Sequence, residues 1–320
     1  HGTSKPATAQ VLLSRVADNL YWGARYLERA EDTARVVRNF TELILDLPRG
    51  VGSSWEPLLA VAGSRAEYDE GHARAHESDI VRFLVADLSN GGSVVSSVAA
   101  ARENLRTTRE VFPRDAWQAV NDLYLFTSRD TESGVDRRSR ARYLGRVITD
   151  CQRLDGVLGG MMRRDQAYEL WRLGQMVERA DMTTRVLGVR AASLLSTPAG
   201  ADDYDEVQWM GVLRSVTAMQ MYQRSHRGPI DGSSVVSFLL FDETFPRSVA
   251  GCVQGMRSAL ARLPRPDATM ASVDSLEALL ATLPAQATDG AALDTAMDRV
   301  QAALVDLNDR VYDTFVRGVV

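Results

Sequence analysis

The chain has 320 residues, 45% of them apolar and 25% charged, with a net charge of −5 and a pI of about 5.5. That is enough apolar material for one large or two ordinary domains, and the acidic balance argues against nucleic acid as the main partner. No apolar run approaches the roughly 18 to 20 residues that cross a bilayer, no signal peptide is visible, and two cysteines are too few for a disulfide framework, so the expectation is a cytoplasmic protein with no membrane partner.

The first ten residues, HGTSKPATAQ, read as an appended scar and stand outside the fold. Beyond them, helical apolar spacing runs through 11–46, 93–110, 114–128, 138–158, 164–196, 206–222, 247–262, 273–283 and 290–316, with no alternating strand-like run. Loops are marked by Pro48-Arg49-Gly50, Asn90-Gly91-Gly92, Pro198-Ala199-Gly200, Gly228-Pro229 and Pro264-Arg265-Pro266, and the polar stretch 63–79 reads as the one long connection. Ser93, and Pro246 in the matching place, are helix-start signals. The expected fold is an all-α helical bundle, neighbouring helices packed antiparallel.

Two of these segments resemble each other. RYLERAEDTARVV (25–37) aligns with QMVERADMTTRVL (175–187), sharing Glu28/Glu178, Arg29/Arg179, Ala30/Ala180, Thr33/Thr183, Arg35/Arg185 and Val36/Val186, with Glu31 opposite Asp181. A second block, 81–105 over 236–260, pairs Phe83/Phe238, Asp87/Asp242, Ser93/Ser248, Val98/Val253, Arg102/Arg257 and Leu105/Leu260, and Trp55 and Leu59 match Trp209 and Leu213 between the blocks. Unrelated helices share apolar spacing readily but not the identity and spacing of charges. The chain therefore reads as a multi-helix unit duplicated within one domain over 11–320: repeat 1 over about 11–130, a linking helix over about 136–160, repeat 2 over about 163–262 and C-terminal helices over about 273–318.

The two aligned segments each carry Glu-Arg-Ala, and at about 100° per residue Tyr21, Ala24, Arg25, Glu28, Asp32 and Arg35 share one side of the first of these Glu-Arg (ER) helices. Alone, that could be a solvated face laced by i,i+3 and i,i+4 pairs. In the second helix, however, Glu178 and Arg185 sit among Trp171, Gly174, Met182 and Val189, so that helix is apolar almost all round and should be buried. Buried charges must be paired or must bind something charged. Glu28, Arg29, Glu31 and Arg35 with Glu178, Arg179, Asp181 and Arg185 are thus either a structural salt-bridge network or a ligand site, and the residues alone leave both open.

Other chemistry is thinly represented. Lys5 is the only lysine, so the folded part can supply neither a P-loop lysine nor a Schiff base. His72 and His76 have the i,i+4 spacing of a helical zinc pair but no evident third ligand, and the Glu-x-x-His of a di-iron bundle is absent from both ER helices; no metal or cofactor is expected. Cys151 and Cys252 read as small core residues. Arg102, Arg106 and Arg109 form a basic stripe, most simply a solvated one, though guanidinium forks suit carboxylates.

LSRVADNLYWGARYLERAEDTARVV, followed by WEPLL, ARENLR, the second ER helix and FLLFDETFPRSV, closely resembles the bacterial alpha-E domain proteins over residues 11–318. The resemblance implies an all-helical protein that accompanies a circularly permuted ATP-grasp amide ligase in the synthesis or modification of a small peptide. By motif match it also implies characteristic polar residues Arg25, Glu28, Arg29, Glu31, Arg35, Arg102, Glu103, Asn104, Asp242 and Arg247. Three functions follow as expectations: a helical partner whose Arg/Glu clusters hold the substrate or dock the ligase; an amide-forming enzyme with Glu28 or Glu178 as catalytic base; or a structural scaffold.

Overall fold

The computed structural model describes residues 12–47, 54–72, 74–196, 204–284 and 289–318, and no strand occurs among them. Residues 1–10, read above as a scar, and the expected loops at Pro48-Arg49-Gly50 and Pro198-Ala199-Gly200 lie outside the described residues. The first half holds α1 (Ser14–Asp46), α2 (Glu56–Val61), α3 (Arg65–Gly71), α4 (Glu77–Val85), α5 (Val94–Arg106), α6 (Arg114–Arg129) and α7 (Thr131–Val135), and α8 (Arg140–Met161) links it to the rest. The second half begins with α9 (Gln166–Arg185), which runs on through a π-helical stretch, Val186–Ala191, into α10 (Ala192–Leu195). Then come α11 (Asp205–Ser215), α12 (Met219–Ser225), α13 (Gly232–Phe241), α14 (Val249–Leu260), α15 (Asp267–Ala281) and α16 (Gly290–Val311), the last ending in π-helical turns over Tyr312–Arg317.

The 33 residues of α1 make it the axis of the molecule. Its Leu20, Leu27, Ala30, Ala34 and Val37 are buried, and it packs against α5, α8 and α9, while α14 packs in turn on α9. Small residues set the α1–α9 spacing: a Cβ on Gly174 would fall on the carbonyl oxygen of Tyr21 and 3.2 Å from the Cβ of Ala24. Larger side chains here would hold the backbones apart, and the long charged side chains further along could not reach across.

Several expectations need correction. The polar stretch 63–79 is not a loop: it carries α3 and the start of α4. Helices α2, α4 and α13 are 6, 9 and 10 residues long, too short for a 3.6-residue period to show. The helix expected over 206–222 breaks at Val216–Ala218, where Thr217 takes a left-handed φ of 57°. The start signal before α14 is Ser248 rather than Pro246; its hydroxyl accepts from Gly251 N at 2.9 Å, as Ser93 accepts from Ser96 N at 3.2 Å at the head of α5.

Matched side-chain arrangements recur in the two halves. Tyr68 stacks on His72 with ring centroids 4.2 Å apart and Phe83 edge-on; Tyr222 stacks on His226 at 4.4 Å with Phe238 edge-on. Arg102 on α5 reaches Asn121 and the Tyr124 ring of the next helix, and Arg257 on α14 reaches Asp274 and Glu277 of its next helix. Residues aligned in the sequence comparison thus make similar contacts in the two halves, while the Arg102 and Arg257 partners differ in kind, an amide and an aromatic ring against two carboxylates.

Candidate functional site: a buried arginine–carboxylate network

Where α1 crosses α9, two ion pairs form reciprocally. Arg29 of α1 donates to Glu178 of α9 through Nε at 2.6 Å and Nη2 at 3.0 Å, and Arg179 of α9 donates through Nε to Glu28 of α1 at 2.8 Å. Helical spacing produces this cross, because each helix presents an adjacent Glu-Arg pair and each Glu lies opposite the other helix's Arg. Arg25, one turn before Arg29, adds a second guanidinium to Glu178 at 2.8 Å and extends to Asn308 of α16 at 2.7 Å.

On the other side of the crossing, the loop before α14 inserts Arg247. Its Nη1 lies 2.7 Å from Glu28 and 2.8 Å from Asp32, and its Nη2 lies 3.2 Å from Glu31. Arg35 closes the set against Asp32 at 2.6 Å and against Glu31. Thr183 fixes the loop by donating to the Arg247 carbonyl at 2.7 Å. Arg179 also reaches Asp155 of α8 at 3.0 Å, and Gln175 donates to the same carboxylate.

Nearly all of this is out of water: Glu28, Glu31, Asp32, Arg35 and Glu178 are each at most 3% exposed. Burial by itself raises a carboxyl pKa, and the arginines decide which acids stay ionised. Burial pushes Glu28 up, but Arg179 and Arg247 outweigh it and hold the group at about 2. Glu178 is held below its ordinary value in the same way, burial being outweighed by Arg29 and Arg25. For Asp32, burial prevails: Arg247 and Arg35 offset it only in part, Glu28 and Glu31 add repulsion, and the carboxyl sits at about 7. Its Oδ2 makes no hydrogen bond to any described residue.

Two clefts reach the network along different stretches of α9. One of about 440 Å³ lies between α8, α9 and α14, with Asp155, Gln175 and Arg179 in its wall beside Trp171, Glu243 and Gln254. The other, about 250 Å³, lies between α1, the turn before α3, the Asn90–Gly92 turn and α9; Arg29, Glu178, Asp181 and Arg185 line it. There Arg185 pairs with Asp181 at 2.9 Å, both partly exposed.

The structure thus gathers Arg25, Glu28, Arg29, Glu31, Arg35, Glu178, Arg179 and Arg247 into one network, with Asp181 and Arg185 at its edge. Arg102 is elsewhere, on the α5–α6 seam, and Glu103 pairs with Arg106 at the surface. Asn104 spends its carbonyl on Thr107 and Thr108. Asp242 folds the turn that delivers Arg247, accepting from Thr244 N and Phe245 N at 2.9 Å. Its carboxyl is held below the ordinary value: burial raises it, and the bonds from Thr244 outweigh that. His72 faces the Tyr68 ring and carbonyl. Both cysteines are buried, free thiols, pushed up by burial, Cys252 to about 12.

Asp155 and Asn308 carry no signal in the sequence, and Asp32, though on the same side of α1 as Glu28 and Arg35, is not among the candidate site residues. Asp32 has Met182 as its counterpart in the second ER helix, so comparing repeats passes over it, and the other two lie in segments outside the repeats. A charge count along the first ER helix, three acids in five positions, was the signal for Asp32.

Comparison with known proteins agrees with this architecture. Three uncharacterized mycobacterial proteins, one from Mycobacterium bovis and two from strains of Mycobacterium tuberculosis, are 25% identical to the chain over 272 residues; the match covers 78% of this chain and 30% of each relative, so the chain spans about a third of their length. No solved structure matches. Residues 12–316 match the alpha-E family, described as a predicted alpha-helical domain with a conserved ER motif, and Glu28-Arg29 and Glu178-Arg179 are ER pairs at the centre of the fold; the chain belongs to the alpha-E family.

Proposed function

We propose that the chain is the helical partner of a circularly permuted ATP-grasp ligase and takes part in making or modifying a small peptide by amide-bond formation, its Arg/Glu clusters holding the substrate. What favours this reading over a self-sufficient enzyme is the state of Glu28 and Glu178, the glutamates of the two ER pairs. Each is buried under two guanidiniums and held below its ordinary pKa, so neither has proton affinity near neutral pH to offer as a general base. That disfavours an enzyme acting alone through Glu28 or Glu178. The single lysine, Lys5, fits a division of labour in which another polypeptide handles the nucleotide. The matched relatives devote 70% of their length to sequence beyond the match, room for a covalently attached partner.

A second reading, a scaffold whose network only holds helices in register, is favoured by the reciprocity of Arg29–Glu178 and Arg179–Glu28. Mixing separates the two. The chain is co-expressed with a circularly permuted ATP-grasp ligase from the same source and tested for co-purification, and ATP turnover is measured with each alone and together. Stable association with increased turnover supports partnership. No association and unchanged turnover leaves the scaffold reading.

A further inference from the structure

The two halves treat equivalent positions differently, and the difference leaves a cleft. In the second half the residue before the helix-capping serine is Arg247, whose guanidinium fills the space against Glu28, Glu31 and Asp32. In the first half the residue before capping Ser93 is Gly92, and the corresponding space is the 250 Å³ cleft beside Arg29, Glu178, Asp181 and Arg185. Thr183, which holds the Arg247 loop, has Thr33 as its counterpart, and Thr33 lines the open cleft.

The charges differ too. On the filled side four carboxylates, Glu28, Glu31, Asp32 and Asp155, face three guanidiniums, Arg35, Arg179 and Arg247. On the open side Asp32 is replaced by Met182 and Gln175 by Arg25, so two carboxylates, Glu178 and Asp181, face three guanidiniums, Arg25, Arg29 and Arg185. That is an excess of one positive charge, with exposed Glu67 only at the rim, where water screens it. Among the described residues Arg185 bonds only through Nε, to Asp181, and Arg29 leaves Nη1 unused. Ser64, 6% exposed and lining the cleft, has a hydroxyl with no described hydrogen-bond partner. Gly63, in left-handed backbone at φ 67°, makes room for Arg185: a Cβ there would lie 2.6 Å from its Nη1.

We propose that this cleft binds the carboxylate of a small peptide or amino-acid ligand, clamped between Arg29 and Arg185 with Ser64 as an additional donor. A planar carboxylate matches guanidinium forks, and one negative charge matches the local excess. A phosphate dianion overshoots that excess and meets Glu178 and Asp181. The inference rests on the substrate-holding part of the function proposed above and is independent of the ligase.

The test is a titration of the ¹⁵N-labelled chain, following the arginine Nε–Hε signals, with N-acetylglycine, its amide N-acetylglycinamide, and inorganic phosphate. The expected result is a saturable shift with N-acetylglycine, none with the amide, and weaker binding of phosphate. Arg185→Gln should weaken N-acetylglycine binding roughly tenfold, the loss of one charge-assisted clamp. Asp181→Asn should tighten it several-fold, because Arg185 is then released to the ligand. A purely structural role would make both substitutions weaken binding. If Arg185→Gln does not fold, Asp181→Asn decides alone. Equal binding of acid and amide, preference for phosphate, or weaker binding by Asp181→Asn overturns the proposal. Carboxylate binding without ligase association upholds the cleft and removes the partnership; ligase association with no carboxylate binding removes the cleft alone.

Discussion

Arg247 Nη1 lies 2.8 Å from Asp32 Oδ1, across 215 positions of sequence, yet this bond does not hold Asp32 ionised in the ordinary acid range. Burial, with Glu28 and Glu31 alongside, lifts the carboxyl to about 7. Between the unfolded value near 4 and about 7 the folded protein therefore holds a proton that the unfolded chain has lost. The contribution of Asp32 to stability is present at the acid end of that window and is lost as pH rises through it. Glu28 behaves oppositely: held at about 2, its contribution is present above the unfolded value and lost on acidification. Urea midpoints across pH 4 to 8 should fall toward the alkaline end for the wild type, and Asp32→Asn should flatten that decline while leaving the acid limb in place. An unchanged slope in the variant would show that another group titrates there.

Removing Arg247 itself should be far more damaging than removing a surface arginine. In Arg247→Met, three carboxylates with almost no exposure lose a shared guanidinium, and breaking a buried pair costs about 3–5 kcal/mol. Arg106, whose pair with Glu103 is about half exposed and screened by water, should cost little when changed to Met. Chemical denaturation of the two variants under one set of conditions checks the contrast; similar losses would mean that Arg247 is screened by water or replaced by a neighbour.

What could be read from residues alone, and what could not, divides along range. The ER helices were legible because their charges repeat at fixed spacing, and the burial of α9 was legible because Trp171, Gly174 and Met182 leave it no polar face. Which Glu would meet which Arg was not legible: the cross between 28–29 and 178–179 depends on the crossing point, set by the Gly174–Tyr21 approach. Arg102 and Arg247 looked alike as motif arginines, but one stacks on Tyr124 and the other enters the network, a difference fixed by the loop before α14. Asn308 joined through the fold of the C-terminal helix, which has no counterpart in the repeats.

In the first half His72 is set for packing. His72 lies flat on Tyr68, 6° from parallel, with Nδ1 3.1 Å from the Tyr68 carbonyl and Phe83 edge-on. His72→Gln should cost about 0.5–1.5 kcal/mol, the worth of an aromatic pair beyond its burial, and His72→Phe should recover most of it. Added zinc should leave the melting temperature of the wild type unchanged. A zinc-dependent rise that disappears in both variants would restore the metal reading of His72 and His76.

Gly174 is where a single methyl group should separate a packing effect from an electrostatic one. A Cβ there collides with the Tyr21 carbonyl, so Gly174→Ala must push α1 and α9 apart before any charged side chain is touched. Overpacking of this kind costs about 1–3 kcal/mol. Yet Ala favours a helix interior over Gly by about 1 kcal/mol, which offsets part of the loss. The net effect should be destabilising, because a backbone carbonyl in the middle of a helix cannot rotate out of the way as a side chain can. The consequence should reach Arg29–Glu178 and Arg179–Glu28 one turn further along, whose bonds of 2.6 and 2.8 Å leave little slack. Glu28, now less well held by Arg179, should titrate higher. The prediction is a lower melting temperature at neutral pH together with an acid limb of the stability curve shifted to higher pH. A variant that is less stable by the same amount at every pH would show that the helices separate without loosening the network, and a variant as stable as the wild type would show that the crossing has room which the close approach of Gly174 to Tyr21 denies.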